Sequence, residues 1–113
     1  MKLSKVVAIF DELKLEDIEA ALLDNGVAGF TIHPVSGRGR YFDSFNENHL
    51  IKHIQIEIYT LREYAEPIGN VIVEAAYSNA ESEGLVSIQP VDELYWIHDK
   101  RMAQPADFRF KGD

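Results

Sequence analysis

Residues 50–77 read LIKHIQIEIYTLREYAEPIGNVIVEAAY, and the fold turns on a change of period inside them. Ile54, Ile56 and Ile58 alternate with His53, Gln55 and Glu57, the two-residue period of a half-buried strand over 50–59. From Thr60 the period lengthens. Tyr64, Ile68, Val71, Ile72 and Ala75 fall on one helical face, and Thr60-Leu61-Arg62-Glu63 fits a capping box that opens a helix reaching about Tyr77. Pro67 removes the amide that would bond the carbonyl of Glu63, so a kink or break is expected there.

Upstream, the same two periods occur in the same order. Residues 3–10, LSKVVAIF, are short, apolar and β-branched, and charge bounds them at Asp11 and Glu12. Leu15, Ile18 and Leu22 then line a helix with acidic residues in its first turn, and Asn25-Gly26 supplies the left-handed stop. A second strand over 27–35 carries Phe30 and Ile32 at period two. Residues 36–49, SGRGRYFDSFNENH, have no period and form a long loop, which is expected to be mobile over 37–49. Downstream, a polar turn over 78–83 leads to a strand at 84–89 closed by Pro90. Residues 94–97, LYWI, read as one more strand before a polar tail at 100–113.

The order is therefore βαββαβ with an extra C-terminal strand. It specifies a single α+β domain over 1–113, a ferredoxin-like sandwich with two helices on one face of an antiparallel sheet. The other face is left open. Tyr95, Trp96, Ile54, Ile56 and Ile58 are too much apolar surface for two helices to hide, so oligomerisation is expected.

Composition excludes several classes of function. Eleven Lys and Arg against nineteen Asp and Glu leave a net charge of −8, which disfavours a nucleic-acid partner. The absence of cysteine excludes a disulfide scaffold, a thiol nucleophile and thiolate metal sites. No apolar run approaches the ~20 residues of a membrane span, and no signal peptide precedes the first strand. A cytoplasmic protein without direct membrane insertion is expected. No nucleophile elbow, zinc-protease helix or phosphate-binding loop is present, so the chain is read as no enzyme. Asp92-Glu93 beside Pro90 are more simply a turn, and Glu81 and Glu83 a solvated loop.

Gly37 and Gly39 let the backbone approach a ligand closely, and Arg38 and Arg40 carry planar forks suited to phosphate or carboxylate. Gly-Arg-Gly-Arg is equally compatible with a plain surface turn. Tyr41, Phe42 and Phe45 among polar neighbours suit a protein-docking loop, or else pin that loop to its own sheet. His49 and His53 are four apart but lie where loop runs into strand, about 13 Å of extended chain. With His98 they offer a metal site only if copies of the chain combine; otherwise each is a solvated or structural histidine.

KVVAIFDELKLEDIEAAL (5–22), GVAGFTIHPVSGRGR (26–40), IQIEI (54–58) with VIVEAA (71–76), and VSIQPVDEL (86–94) together resemble the PII signalling superfamily. The most specific element is Gly-x-Thr-x-x-x-x-x-Gly-x-Gly-Arg, from Gly29 to Arg40. The resemblance implies a cytoplasmic homotrimer with clefts between subunits that usually hold an adenine nucleotide. A mobile loop then docks on a membrane transporter, channel or cytoplasmic enzyme. It implies that Thr31 lies near the adenine, that Gly37, Arg38, Gly39 and Arg40 hold the ligand with Gly84 beside them, and that His98 or Arg101 reaches in from the next subunit.

Two departures qualify this. The family's Gly-Asp-Gly-Lys turn is replaced by Asn79-Ala80-Glu81-Ser82-Glu83-Gly84, and its Arg-x-Arg by Trp96-Ile97-His98, although Lys100 and Arg101 follow. Carboxylates facing a triphosphate cost roughly 4 kcal/mol per close pair at intermediate dielectric. The sequence therefore favours a less charged effector: ADP, AMP, a cyclic nucleotide or bicarbonate. No cofactor is fixed by the residues. The loop is short, with Tyr41 at its base and no tyrosine at the tip for uridylylation. The short loop and the divergent phosphate turn together resemble the PII-like branch found beside bicarbonate transporters, carboxysome components and heavy-metal efflux systems. A metal-binding or efflux accessory protein of the same trimeric build is the alternative, and a ligand-free scaffold the third reading.

Overall fold

The structure, a computed structural model, describes residues 1–37, 51–79 and 84–111, with only the backbone described at 51 and 52. The elements are β1 (Leu3–Phe10), α1 (Leu15–Asp24), β2 (Thr31–Gly37), β3 (Ile51–Leu61), α2 (Arg62–Ala76), β4 (Gly84–Val91), β5 (Tyr95–Trp96) and β6 (Arg101–Met102). The main sheet has the order β2-β3-β1-β4, and every neighbouring pair in it is antiparallel. With α1 and α2 packed on one face, this is the ferredoxin-like sandwich. Among the described residues, no helix is long and apolar enough to cross a membrane.

The register explains the core. Val6 sits between Ile58 and Ile88, and Ala8 between Ile56 and Val86. Val6, Ala8, Phe10, Ile56 and Ile58 form one buried cluster with Ile18 and Leu22 of α1 and Ala65, Ile68 and Ile72 of α2. Burying each large side chain removes it from water at a gain of roughly 1.5–3 kcal/mol. Ile54, Ile56 and Ile58 therefore lie beneath the helices after all. Trp96 packs on Phe108, with ring centroids 6.2 Å apart. The open sheet face, read by alternation, carries Lys5, Val7 and Ile9 beside Gln55, Glu57, Tyr59, Leu85, Ser87 and Gln89. It is more polar than the sequence suggested.

α1 ends as Asn25-Gly26 predicts. Gly26 has φ +85°, its amide bonds Leu23, and the Val27 amide reaches Leu22 at 2.9 Å. This is the paired closure that only a left-handed residue allows without strain. α2 departs from expectation at two points. Thr60 stays in β3, buried, so the capping box does not form; Leu61 is the extended N-cap, without a side-chain cap bond. The Arg62 amide is instead satisfied by the Lys2 carbonyl at 2.9 Å. Pro67 does not break the helix, which runs continuously from Arg62 to Ala76. The carbonyl it leaves free belongs to Glu63, an exposed residue in the first turn, where water can serve.

The second strand starts at Thr31, four residues later than expected, and residues 27–30 have no regular structure. β4 continues through Pro90 because it is an edge strand, where a missing amide costs no ladder bond; Pro34 sits likewise in the other edge strand, β2. The extra C-terminal strand pairs with no part of the main sheet. It is β5, joined to β6 in a small ladder of its own through Tyr95↔Met102 and Trp96↔Arg101.

The polar tail expected over 100–113 is an ordered strap through Lys111. Ala103 and Phe108 are buried with Leu3 and Leu61, Phe110 packs near Tyr64 with ring centroids 6.0 Å apart, and the Lys111 amide bonds the Asn25 carbonyl at 2.9 Å. Apolar residues spaced among the polar ones, rather than mean polarity, set its path.

Ile56→Ala is expected to lower the unfolding free energy by about 2–5 kcal/mol, read from the urea midpoint. Gly84→Ala should also destabilise, because Gly84 has φ +125° and an added Cβ would meet the Ile9 carbonyl oxygen at 1.9 Å.

Candidate functional site

Pairing of β2 with β3 stops at Thr31↔Glu57, so residues 58–61 of β3 have no strand on that side. A groove of about 510 Å³ occupies this gap. Residues 26–30 form one wall, Glu57 to Thr60 and Ile68 the floor, and Trp96, Asp107, Phe108 and Arg109 the opposite wall, with Thr31 at the rim. An open concavity of mixed aromatic and polar lining is the usual form of a small-molecule site.

One polar cluster organises the strap wall. Arg101 Nη2 donates to Asp107 Oδ1 at 2.9 Å and Nη1 to Oδ2 at 2.9 Å. Asp107 Oδ2 also accepts the Trp96 indole N–H at 2.8 Å and the Gln104 amide at 2.8 Å. The Arg101 fork, then the Gln104 amide and the Trp96 indole, hold the Asp107 carboxyl well below the usual carboxylate range. The same pairing raises the pKa of Arg101.

The residues singled out in the sequence are distributed as follows. Thr31 is exposed at the groove. Gly37 ends β2, and Gly84 opens β4 beside Phe10. The juxtaposition of Gly37 and Gly84 is not found within one chain, since β2 and β4 are opposite edges of the sheet. Three strand spacings of about 4.8 Å separate those edges, roughly 14 Å in all. His98 is exposed in the turn between β5 and β6. Arg101 is committed to Asp107, with Asp99 Oδ2 3.5 Å from its Nε. Arg38, Gly39, Arg40, Tyr41, Phe42, Phe45 and His49 lie outside the described residues.

By register, His33 and His53 are diagonal neighbours on one face of the β2–β3 pair, and His98 lies apart in the β5–β6 turn. His53 is buried in β3, whereas His33 on β2 lies 3.4 Å from Glu57, which also accepts from Gln55 at 2.9 Å. Among the described residues, no group of three or more His, Asp or Glu could hold a metal ion. Asp107, Phe108 and Arg109 were missed in the sequence because the tail reads as polar. Gln104-Pro105-Ala106-Asp107 carried the signal: proline at the first helical position and an acid two later begin a helical turn.

The profile of the nitrogen regulatory protein P-II family matches residues 3–101. The chain belongs to the P-II family. It is 27% identical over 101 residues to a nitrogen regulatory protein P-II of Cyanidium caldarium, covering 83% of this chain and 89% of that one. A Synechocystis nitrogen regulatory protein P-II is 28% identical over 102 residues, covering 84% and 91%. The crystal structure of Arabidopsis thaliana PII bound to citrate superposes with a TM-score of 0.79 at 25% identity, covering 93% of this chain and 92% of that one. The P-II match ends at Arg101, so three residues of the strap wall, Asp107 to Arg109, lie beyond it.

A pH prediction follows from the Asp107 cluster. A carboxyl depressed in the folded state contributes its full stabilisation above the unfolded value of ~3.9 and loses it as pH falls below that value. Arg101 and the Trp96 and Gln104 N–H groups contact it, and Asp99 meets Arg101 at its Nε. Trp96 emission is therefore expected to stay constant from about pH 8 to about pH 5 and to shift only below about pH 4.

Proposed function

We propose that three copies of this chain assemble into a cytoplasmic, non-catalytic signalling protein of the P-II type. It binds a small effector, an adenine nucleotide such as ADP or AMP or else bicarbonate, in clefts between subunits. The loop over 37–49 then controls a membrane transporter or cytoplasmic enzyme. The observation that carries this reading is the placement of the ligand-binding candidates. Thr31 borders a groove, while Gly37 and Gly84 lie on opposite sheet edges. A pocket using both glycines needs the β2 edge of one copy against the β4 edge of another, and an intersubunit cleft provides that.

P-II family membership supports a regulatory role, and the Arabidopsis thaliana PII bound to citrate supports a small anionic effector. The mechanism is a shift between two states of the loop, driven by a ligand that contacts it in only one of them. The metal-accessory reading has less support, since no group of three or more His, Asp or Glu that could hold a metal ion lies among the described residues.

Sedimentation equilibrium is expected to give a mass of three chains. Calorimetric titration with ATP, ADP, AMP, cyclic AMP and bicarbonate should give saturable heat with at least one, at three sites per trimer. Thr31→Ala should weaken that binding about fivefold, the effect of one lost hydrogen bond near 1 kcal/mol. A lone subunit at micromolar concentration with no heat from any of these ligands would overturn the proposal.

A further inference from the structure

We infer that the C-terminal strap, residues 103–111, is an internal competitor for the effector: Asp107 occupies on Arg101 the position that an anionic ligand would take. This rests on the reading of the groove as part of an effector site.

Four observations lead to it. First, the Arg101 guanidinium engages both oxygens of one carboxylate through parallel bonds of 2.9 Å. A ligand phosphate or carboxylate would present the same geometry. Second, Asp107 lines the groove and its partner Arg101 does not, so a ligand in the groove meets the carboxylate before the guanidinium. Third, Asp107 and Asp99 both contact the Arg101 guanidinium, so its charge is already met by carboxylates of this chain. A further anion takes the bidentate position on it only when Asp107 leaves. Fourth, the strap is lightly attached. Apart from the Asp107 cluster, Ala103 and Phe108 belong to a small cluster with Leu3 and Leu61, Phe110 packs near Tyr64, and two backbone bonds, Ala103 N–H to Leu94 and Lys111 N–H to Asn25, complete the attachment. An element with so few buried contacts opens at far lower cost than the main core.

Two states follow. With the strap docked, Asp107 holds Arg101, the Trp96 indole N–H and the Gln104 amide, and affinity for an anion is low. With an anion on Arg101, Asp107 is displaced, the indole loses its acceptor and the strap is released. By linkage, whatever affinity the strap costs the ligand, the ligand costs the strap. Effector occupancy is thereby reported at the C-terminus as well as at the 37–49 loop. The segment concerned lies past the end of the P-II match at residue 101.

Trp96 is the sole tryptophan, so intrinsic emission reads the strap directly. The test uses the full chain, Asp107→Asn and Phe108→Ala, titrated with ADP, AMP, citrate and bicarbonate by calorimetry and by fluorescence. Asp107→Asn, which removes the charge and keeps the shape, is expected to bind at least one probe about tenfold tighter. Saturating the wild-type chain should move its emission toward that of the unliganded variant and speed tryptic cleavage after Arg109. Phe108→Ala loosens the strap without changing charge and should also bind more tightly; it carries the test if Asp107→Asn does not fold. Binding to the wild-type chain with unchanged Trp96 emission, and equal affinity in the variants, would overturn the competitor role and leave the proposed function standing. No binding of any probe to wild type or variants would overturn both.

Discussion

β1 runs between β3 and β4, and its alternation is what the remainder of the structure depends on. Ser4, Val6, Ala8 and Phe10 face the helices, while Leu3, Lys5, Val7 and Ile9 face the other way. Because the side-chain period is two, slipping β3 by one residue would carry Ile56 and Ile58 out of the core together, and slipping β4 would turn Val86 away from it. The register is thus fixed by burial on one face, and α1 and α2 can pack only where that face is apolar. Gly84 marks the closest approach, where β4 meets the end of β1 and no side chain fits.

The two ends of the sheet serve different purposes. At the Phe10 end, β2 and β4 terminate in Gly37 and Gly84, next to the segments over 38–50 and 80–83. At the Leu3 end, β2 is too short to cover β3, and the strap fills part of the vacancy. The groove is a consequence of that mismatch in length between Thr31–Gly37 and Ile51–Leu61. Its floor is built on β3 and α2, but its outer wall is an appended segment held by the Asp107 cluster, two backbone bonds and a few apolar contacts. A site with one rigid and one detachable wall can be open or closed at little cost to the fold.

Exposed charges at the strap act through geometry rather than net charge. With a formal charge of −8, the chain as a whole repels anions. What matters locally is which carboxylate holds the Arg101 fork. An exposed ion pair contributes little to stability, yet a bidentate pair that also receives an indole and an amide fixes the orientation of three segments at once.

The sequence by itself determined the types and order of the elements of the main sheet and its two helices. Ile54, Ile56 and Ile58 at period two, Ile18 and Leu22 at helical spacing, and Asn25-Gly26 as a stop are local patterns whose physics is complete within a few residues. The P-II resemblance was legible for the same reason, in contiguous motifs such as Gly29 to Arg40. Tertiary structure decided the rest. Thr60 could not be assigned to a strand rather than a cap until burial claimed its side chain, and Pro67 is tolerated in a helix where the residue whose carbonyl it orphans, Glu63, is exposed. Asp107 gained its meaning from Arg101 and Trp96, six and eleven residues away in sequence. No periodicity joins those positions, because a chain turning back on a sheet corner is fixed by long-range contacts alone.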